Sequence, residues 1–543
     1  MTAAKPNSVF EAFAATAQRF GDRPFLNVLP ETAAAYGIAA GEITYVAMLE
    51  AAQALAAAYA AQGVGHGQRV GLLLQNRPAF FEHWLALNAI GVSVVPINPD
   101  LRASELEYVI AHSEMVAAVA TPERVADLAR AAAAGGRDVS IFTPDEAIPR
   151  IGGPIDAKPA SRETECGLLY TSGTTSRPKG CVLTNTYYLN SAAWYLEAGG
   201  LMAMREGSER MLTPLPLFHM NAMAFSAVTM MLCGGCLSVL DRFHPKTWWD
   251  SVRQSQATII HYLGVMPPML MGAPASADDR AHRVRFGFGA GVDRGLHAAF
   301  EARFGFPLIE AWAMTETGGG VVIAASQEPR HVGTNCFGKP GPEAEVRVVD
   351  EADRDVAAGE PGELLVRRSG SDPRHGFLRE YLKDPAATAE AWAGDWFHTG
   401  DVVRQNADGT LCFVDRRKNV IRRSGENISA VEVESVLQRH PAIAAVAVAA
   451  APDAVRGDEV FALIVAREAP KTAEARAALA REIVDYSLAQ LAYYKAPGFI
   501  AFVDALPLTS TQKIQRGALK DLVGTLLQGS DVIDMRALKK RAA

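Results

Sequence analysis

The chain has 543 residues, more than one hydrophobic core usually organises, so its length predicts at least two domains. Hydrophobic residues make up 49% of the chain and charged residues 21%, which is the balance of an ordinary globular protein. The formal net charge of −7 excludes the strongly basic footprint of nucleic-acid binders, so we expect no nucleic-acid partner.

The longest apolar stretches predict no integral membrane segment. They lie around 225–240 and 259–271, are interrupted by Gly, His or Pro, and are too short to cross a bilayer. The first 20 residues lack the continuous apolar stretch of a secretory signal. We therefore expect a cytoplasmic protein.

The six cysteines are too few for a disulfide framework in a chain of this length. The one suggestive spacing is Cys233-Gly-Gly-Cys236, which lies inside an apolar run and has no second Cys or His pair beside it. This context favours buried, reduced thiols over a redox or metal site.

The first third of the chain alternates helical and strand patterns. Helices are predicted at 51–61 and 79–90 and apolar runs at 70–74 and 92–97, and the pattern returns at 258–263 and 284–288. Such runs are typical of parallel strands that helices cover on both faces. Because these sheets bind ligands beyond the carboxyl ends of their strands, we expect the functional residues on the loops that follow them.

The pattern changes after residue 335. The segments 344–350 and 362–367 alternate like half-exposed strands and predict a small antiparallel β subdomain. A charged cluster at 415–419 follows a strand at 411–414, and a compact α+β segment comes after it. We place a domain boundary there, between residues 1–416 and residues 417–543.

The segment 168–180 carries the most chemical information. Apolar residues lead directly into a loop rich in hydroxyls and glycine that ends in a lysine, a composition suited to a polyphosphate. It is not a Walker A loop, because glycine follows the lysine instead of preceding it. The candidate phosphate-binding residues are Thr171, Ser172, Gly173, Thr174, Thr175 and Lys179.

This loop resembles the signature loop of the adenylate-forming superfamily of acyl-CoA synthetases, nonribosomal adenylation domains and beetle luciferases. Ser176 stands where that family usually has glycine. Further motifs of the family follow in the same order, to about residue 516. The resemblance implies an α/β fold: a large N-terminal domain of layered helices and mostly parallel sheets with a β subdomain, and a small, mobile α+β C-terminal domain.

The resemblance also implies a nucleotide site. In the segment 311–316, which is similar to the family's Y-G-x-T-E, Trp312 would stack on adenine, Thr315 would contact phosphate and Glu316 would hold Mg²⁺. Asp401, in a T-G-D motif, would accept both ribose hydroxyls. The adenine-side loop would consist of Gly289, Ala290 and Gly291.

Three motifs of the C-terminal part resemble the residues that the family uses in its two half-reactions, adenylation of the acid and transfer of the acyl group to a thiol. Arg416 would reach the ribose or phosphate, and Lys418 would be the pivot of the domain hinge. Gly425 and Glu426 would face the thiol of coenzyme A, and Lys513 would neutralise charge during adenylation. The family rotates its C-terminal domain to exchange these residues.

The acyl pocket has weaker signals. The segment 216–221 resembles the family's acyl-site motif, with His219 near the carboxylate and Asn221 beside it. Ala313, in place of the usual glycine, would narrow the pocket, and the glycines at 318–320 would give it room or mobility. The remaining candidates are His261, Tyr262, Gly264, Gly318 and Gly319.

Together these motifs predict an acid–thiol ligase, an acyl-CoA synthetase that uses ATP, Mg²⁺ and coenzyme A to activate a small carboxylic acid. The general sequence similarity favours the crotonobetaine/carnitine-CoA ligase branch, but no pocket residue identifies the acid. Two alternatives stay open: an adenylating enzyme that loads an acyl carrier protein, and a catalytically silent nucleotide-binding sensor of the same fold. A homodimer is compatible with the sequence.

Overall fold

The computed structural model describes residues 5–152, 158–171, 177–350, 352–416, 421–428, 430–507, 516–529 and 531–540. The chain divides into two compact units. The first comprises Met1–Pro99, Ile110–Leu169 and Gly180–Asp415, and the second comprises Asp100–Val109, Tyr170–Lys179 and Arg416–Ala543.

The helices begin mostly at residues that favour a helix N-terminus. Ser8 and Thr44 cap α1 and α3 with their hydroxyls, and prolines open α2, α4, α6 and α12. The α-helices are α1 Val9–Phe20, α2 Pro30–Tyr36, α3 Tyr45–Ala61, α4 Pro78–Ala89, α5 Ala103–Ser113, α6 Pro122–Ala134, α7 Asn185–Glu197, α8 Thr229–Cys233, α9 Trp248–Ser255, α10 Met266–Met271, α11 His297–Phe304, α12 Pro385–Ala391, α13 Ala430–Leu437, α14 Ala473–Gln490 and α15 Arg516–Leu526. A π-helix covers Asn221–Val228, and short 3₁₀ turns cover Gly200–Met202, Ala277–Arg280, Ala393–Asp395 and Arg536–Leu538.

The strands are short, and those of the first unit are mostly buried. They are β1 Pro24–Val28, β2 Gly41–Thr44, β3 Arg69–Leu73, β4 Ser93–Pro96, β5 Ala117–Ala120, β6 Ser140–Phe142, β7 Glu165–Thr171, β8 Lys179–Thr184, β9 Arg210–Thr213, β10 Cys236–Val239, β11 Ile259–His261, β12 Phe286–Gly289, β13 Leu308–Trp312, β14 Ile323–Ala324, β15 Ala344–Val349, β16 Pro361–Arg368, β17 Glu380–Tyr381, β18 Phe397–Gln405, β19 Leu411–Arg416, β20 Ile421–Arg423, β21 Glu426–Ile428, β22 Ile443–Asp453, β23 Gly457–Ala466, β24 Phe499–Phe502 and β25 Val532–Asp534.

Two sheets of mostly parallel strands are built from the apolar runs of the sequence. One has the strand order β14-β13-β12-β11-β9-β10-β1-β2, with parallel pairing from β13 to β1 and an antiparallel strand at each edge. The other has the order β17-β8-β7-β4-β3-β5-β6 and is parallel from β7 to β6. Helices and sheets share one large core that includes Trp84, Tyr188 and Phe288. The predicted layered α/β architecture is therefore confirmed.

A four-stranded sheet of the order β15-β16-β18-β19 forms the predicted antiparallel β subdomain. The second unit contains a separate sheet, β21-β20-β23-β24-β25, to which β22 adds along β23. Two apolar clusters flank that sheet, one beside α13 and α14 and the other beside α15. This arrangement is the α+β organisation that the sequence predicts for the C-terminal segment.

Candidate functional site

Three neighbouring parallel strands of the first sheet end at the same edge. These strands are β11, β12 and β13, and the residues that close or follow them include His261, Gly289 and Trp312. The carboxyl edge of adjacent parallel strands is where α/β sheets bind ligands. The fold thus brings together candidate residues of the acyl pocket and of the adenine side, which are up to 51 positions apart in the sequence.

The loops at this edge are in very close contact. A Cβ atom on Gly264 would lie 2.0 Å from the carbonyl oxygen of Gly291, and one on Gly289 would lie 2.3 Å from the carbonyl oxygen of Tyr262. Carbon atoms cannot approach oxygen so closely without displacing the backbone. The two predicted site glycines, together with Gly291, therefore let the loop after β11 pack against the loop after β12.

Glu310 on β13 fixes the adenine-side loop. Its carboxylate accepts hydrogen bonds from the backbone N–H of Gly291 at 2.9 Å and of Val292 at 2.7 Å. Burial raises the pKa of Glu310, while the two backbone donors oppose that rise by stabilising the charged form. Glu310 is two residues before Trp312 on the same strand, so both side chains lie on one face of the sheet.

Trp312 and Asp401 are in direct contact. The indole Nε1–H of Trp312 donates a hydrogen bond to Oδ2 of Asp401 at 2.9 Å, and both side chains are buried. Phe337 packs against the indole with the two rings inclined by 30°, at a centroid distance of 6.3 Å. The ring that the sequence assigns to adenine is therefore held in place by a carboxylate at its edge and an aromatic ring at its face.

A bulge in β18 positions Asp401. The pairing register between β16 and β18 shifts beside the T-G-D motif, and Gly400 has φ of +69°, a conformation that glycine adopts without strain. The hydroxyl of Thr399 donates to the carbonyl of Leu364 at 2.6 Å and accepts from the Asp401 N–H at 3.1 Å. The N–H of Gly400 donates to Glu363 at 3.0 Å, which completes the support of the motif.

Glu316 is buried at the turn that follows β13. Its Oε1 accepts a hydrogen bond from the Tyr381 hydroxyl at 3.0 Å, and Thr315 lies half-buried in the same turn. Within the described ranges no group of three or more His, Cys, Asp or Glu side chains is arranged to hold a metal ion. A magnesium ion at this place would thus depend on Glu316, water and the phosphates of its ligand, which is the usual coordination of Mg²⁺ in nucleotide enzymes.

His261 is the centre of a buried polar network on the acyl side. Its Nδ1 lies 2.8 Å from Oδ1 of Asn221 and 2.9 Å from the Ser226 hydroxyl, and its Nε2 lies 3.1 Å from the Tyr195 hydroxyl. Burial lowers the pKa of His261 to about 3, so the ring is neutral. These contacts fit a ring that donates from Nδ1 and accepts at Nε2.

The other acyl-side candidates lie around the π-helix. His219 is half-buried just before it, with its ring 4.5 Å from that of Phe218, and Ala313 is half-buried after β13. The space beside Gly318 and Gly319 is taken: a Cβ on Gly318 would lie 2.3 Å from Cε of Met220, and one on Gly319 would lie 2.4 Å from the Tyr187 carbonyl oxygen. These glycines therefore allow close packing against Met220 and Tyr187, and their place in the acyl pocket stays a prediction.

The remaining candidates belong to the second unit or lie outside the described residues. Thr171 ends β7, and Lys179 begins β8. Gly425 is in a two-residue turn between β20 and β21, and Glu426 begins β21. The structure describes Arg416 only by its backbone, as the last residue of β19. The candidates outside the described residues are Ser172, Gly173, Thr174, Thr175, Lys418 and Lys513.

Four residues of this site have no counterpart among the sequence candidates: Glu310, Tyr195, Ser226 and Tyr381. Each acts on a predicted residue through a hydrogen bond that only the fold creates. The single available signal was a charged residue inside an apolar strand, Glu310, since carboxylates are rarely buried without partners.

Comparison with known proteins places the chain in a family. Residues 13–372 match the model of the AMP-binding enzymes, and residues 432–513 match that of the AMP-binding enzyme C-terminal domain. The chain belongs to the AMP-binding enzyme family.

Among the helices that the structure describes, none combines the length and apolar character needed to cross a membrane.

Individual proteins and solved structures that are similar to this AMP-binding enzyme agree with that assignment. It is 31% identical over 498 residues to a crotonobetaine/carnitine–CoA ligase of Salmonella paratyphi B, a match that covers 88% of this chain and 93% of the relative. O-succinylbenzoate CoA synthetase from Bacillus subtilis has a TM-score of 0.80 at 25% identity, with 95% of this chain and 98% of that chain covered. A malonyl-CoA ligase has a TM-score of 0.72 at 26% identity, with 90% and 97% covered.

Proposed function

We propose that this AMP-binding enzyme is an ATP-dependent acyl-CoA synthetase. The observation that carries the proposal is the convergence of Trp312, Asp401 and the glycine loop after β12 at one sheet edge, in a chain whose relatives are CoA ligases. An aromatic face suits a purine, and a carboxylate suits the two hydroxyls of a ribose. The edge thus has the chemistry of an adenosine site.

In the first half-reaction an oxygen of the substrate carboxylate attacks the α-phosphorus of ATP. The bond from that phosphorus to the bridging oxygen breaks, and pyrophosphate leaves. Trp312 stacks on adenine through the ring face opposite Phe337, and Asp401 accepts the ribose hydroxyls. The loop of hydroxyls at 171–175, with Lys179 and Lys513, neutralises phosphate charge. Positioning and charge neutralisation account for most of the catalysis of such transfers.

Glu316 fits the role of a magnesium ligand. Its carboxylate is held in one orientation by the Tyr381 hydroxyl, and Mg²⁺ prefers one or two carboxylates together with phosphate and water oxygens. When bound, the ion would neutralise charge on the phosphates. Tyr381 is then a positioning residue, because it restricts the carboxylate before the nucleotide binds.

In the second half-reaction the sulfur of coenzyme A attacks the acyl carbon. The carbon–oxygen bond to AMP breaks, the thiol proton is released, and the thioester forms. Gly425 and Glu426 face the thiol, and Arg416 and Lys418 form the hinge of a mobile C-terminal domain at 417–543. The exposed turn at Gly425 has positive φ at both of its residues, and such a turn presents backbone rather than bulky side chains.

Substitution of the predicted adenylation lysine tests this division of labour. Lys513→Ala should lower ATP–pyrophosphate exchange by about two orders of magnitude, the usual cost of one preorganised charge stabiliser. It should leave the reaction of supplied acyl-AMP with coenzyme A unchanged. Lys471→Ala, an exposed lysine of the same unit, is the matched control and should change neither step. Equal loss of both steps in Lys513→Ala would contradict the assignment.

The same assay separates the two alternatives. An enzyme that loads a carrier protein would consume supplied acyl-AMP only with a phosphopantetheinylated carrier, whereas a CoA ligase consumes it with free coenzyme A. A nucleotide-binding sensor would bind ATP without pyrophosphate exchange for any acid. No described residue favours either alternative over the CoA ligase.

A further inference from the structure

Two cysteines face each other across a short antiparallel contact in the β subdomain. Cys336, in the loop between β14 and β15, forms an isolated β-bridge with Cys412 on β19. The hydrogen bonds are made by the flanking residues: the Phe337 N–H donates to the Leu411 carbonyl at 2.9 Å, and the Phe413 N–H to the Asn335 carbonyl at 2.9 Å. The two cysteines are thus a non-hydrogen-bonded pair, whose side chains extend to the same face of the strands.

This register has the geometry that a disulfide requires. Cα atoms of a non-hydrogen-bonded antiparallel pair are about 4.5 Å apart. Disulfides join Cα atoms that are roughly 4.4–6.8 Å apart. Because this typical spacing lies inside that range, the register of Cys336 and Cys412 allows a disulfide between them.

The environment of the pair distinguishes its two sulfurs. The side-chain hydrogen bond between the two cysteines raises the pKa of Cys336 and lowers that of Cys412. Nδ2 of Asn406 donates a second hydrogen bond to Sγ of Cys412 at 3.3 Å. His331, which is paired with Asp408 at 2.7 Å, contributes a further small lowering of the Cys412 pKa. Donors around a sulfur favour its thiolate, the form that reacts with oxidants.

The other four cysteines differ from Cys412 in burial, and none of them is described as bridged to another cysteine. Cys166, Cys181, Cys233 and Cys236 are buried, whereas Cys412 is only half-buried. Burial raises the pKa of Cys166, Cys233 and Cys236 to about 12 in each case. The Cys233-Gly-Gly-Cys236 motif is therefore an internal control, because its spacing is typical of redox proteins and its environment is inert.

We propose that Cys336 and Cys412 form a peroxide-oxidisable thiol pair in this protein. The Cys412 thiolate attacks a hydroperoxide, the O–O bond breaks, and Cys412 becomes a sulfenic acid while hydroxide leaves from hydrogen peroxide, or an alkoxide from an organic hydroperoxide. The Cys336 sulfur then attacks the sulfenic sulfur, and its proton leaves with the hydroxyl as water. Two thiols lose two electrons in total, and the hydroperoxide takes them up. Phe337, next to Cys336 in the sequence, packs against Trp312, so the bond would form one residue from a side chain that contacts the proposed adenine site.

Peptide mapping without reduction tests the proposal on the full-length protein. After limited treatment with hydrogen peroxide, followed by alkylation, we expect one disulfide, joining the peptides of Cys336 and Cys412, that dithiothreitol reverses. Before oxidation, Cys412 should be alkylated at least about tenfold faster than Cys166, Cys181, Cys233 or Cys236. In Cys336→Ser, a 1,3-dione probe should trap the sulfenic acid on Cys412, because no second thiol can resolve it.

Matched variants decide the outcome. Cys412→Ser should abolish the disulfide, and Cys236→Ser should leave it unchanged. A bond between Cys233 and Cys236, or no bond while free cysteine in the same solution is fully oxidised, would overturn the proposal. The mapping of the unsubstituted protein gives this answer even if a variant fails to fold.

Discussion

The hydrogen bond between Trp312 and Asp401 makes a quantitative prediction. Trp312→Phe keeps an aromatic face for adenine and removes the indole N–H that holds the carboxylate. Hydrogen bonds to charged groups contribute about 1.5–3 kcal/mol. Without this bond, the Asp401 carboxylate is held less firmly, and nucleotide binding must bring it into the productive orientation. The free energy of the hydrogen bond is the upper limit of the loss in binding energy, which corresponds to about a 10- to 100-fold lower affinity for ATP.

ATP–pyrophosphate exchange measures this effect. We expect the KM for ATP to rise toward that limit in Trp312→Phe, with a smaller change in kcat. The matched control is Trp248→Phe, which removes an indole of the same unit whose Nε1 has no hydrogen-bond partner among the described residues. Both variants replace a buried indole by a smaller ring, so the control measures what the loss of volume alone costs. A KM for ATP within twofold of the unsubstituted enzyme in Trp312→Phe would refute the reasoning.

Three further predictions follow from close packing and burial. Gly264→Ala places a Cβ 2.0 Å from a backbone oxygen and should lower pyrophosphate exchange at least about tenfold, whereas Gly524→Ala, with open space beside its Cβ, should leave it unchanged. Burial lowers the folded-state pKa of His261 to about 3, below the 6.5 of a solvent-exposed histidine, so the unfolded chain binds the proton first. The contribution of His261 to the free energy of unfolding is complete above pH 6.5 and falls by about 1.4 kcal/mol per pH unit toward pH 3. In urea unfolding, the stability of His261→Gln should therefore fall less steeply with decreasing pH than that of the unsubstituted protein. Equal pH dependence of the two proteins would contradict this. Glu459→Gln removes the carboxylate between two buried cations and should destabilise the second unit by about 3–5 kcal/mol in urea unfolding, unlike the exposed control Glu468→Gln.

The sequence predicts the layers of the fold well because strands buried on both faces need uninterrupted apolar residues. The run at 70–74 indicates β3, and the segment 284–288 indicates β12, although β12 begins two residues later than predicted, at Phe286 after Arg285. Helix boundaries are less visible: α3 begins at Tyr45, where Thr44 caps it, six residues before the alanine-rich pattern.

The candidate site is predictable only in part, because hydrogen bonds between distant residues leave no local pattern. Trp312 and Asp401 are each recognisable from a motif, but their contact joins positions 89 residues apart. The same holds for His261 and the Tyr195 hydroxyl, which are 66 residues apart. A run of glycines likewise does not tell an open pocket from close packing, since the difference depends on what the fold places beside it.

The proposed activity is tested most directly by measuring pyrophosphate release and loss of the coenzyme A thiol together, in the presence of ATP and magnesium. The panel of acids should include short, medium, aromatic, dicarboxylic and betaine-type acids. We predict that at least one class gives both signals in a 1:1 ratio, each dependent on the acid. Pyrophosphate release that proceeds without loss of the coenzyme A thiol, or no release with any acid, would contradict the assignment as an acyl-CoA synthetase.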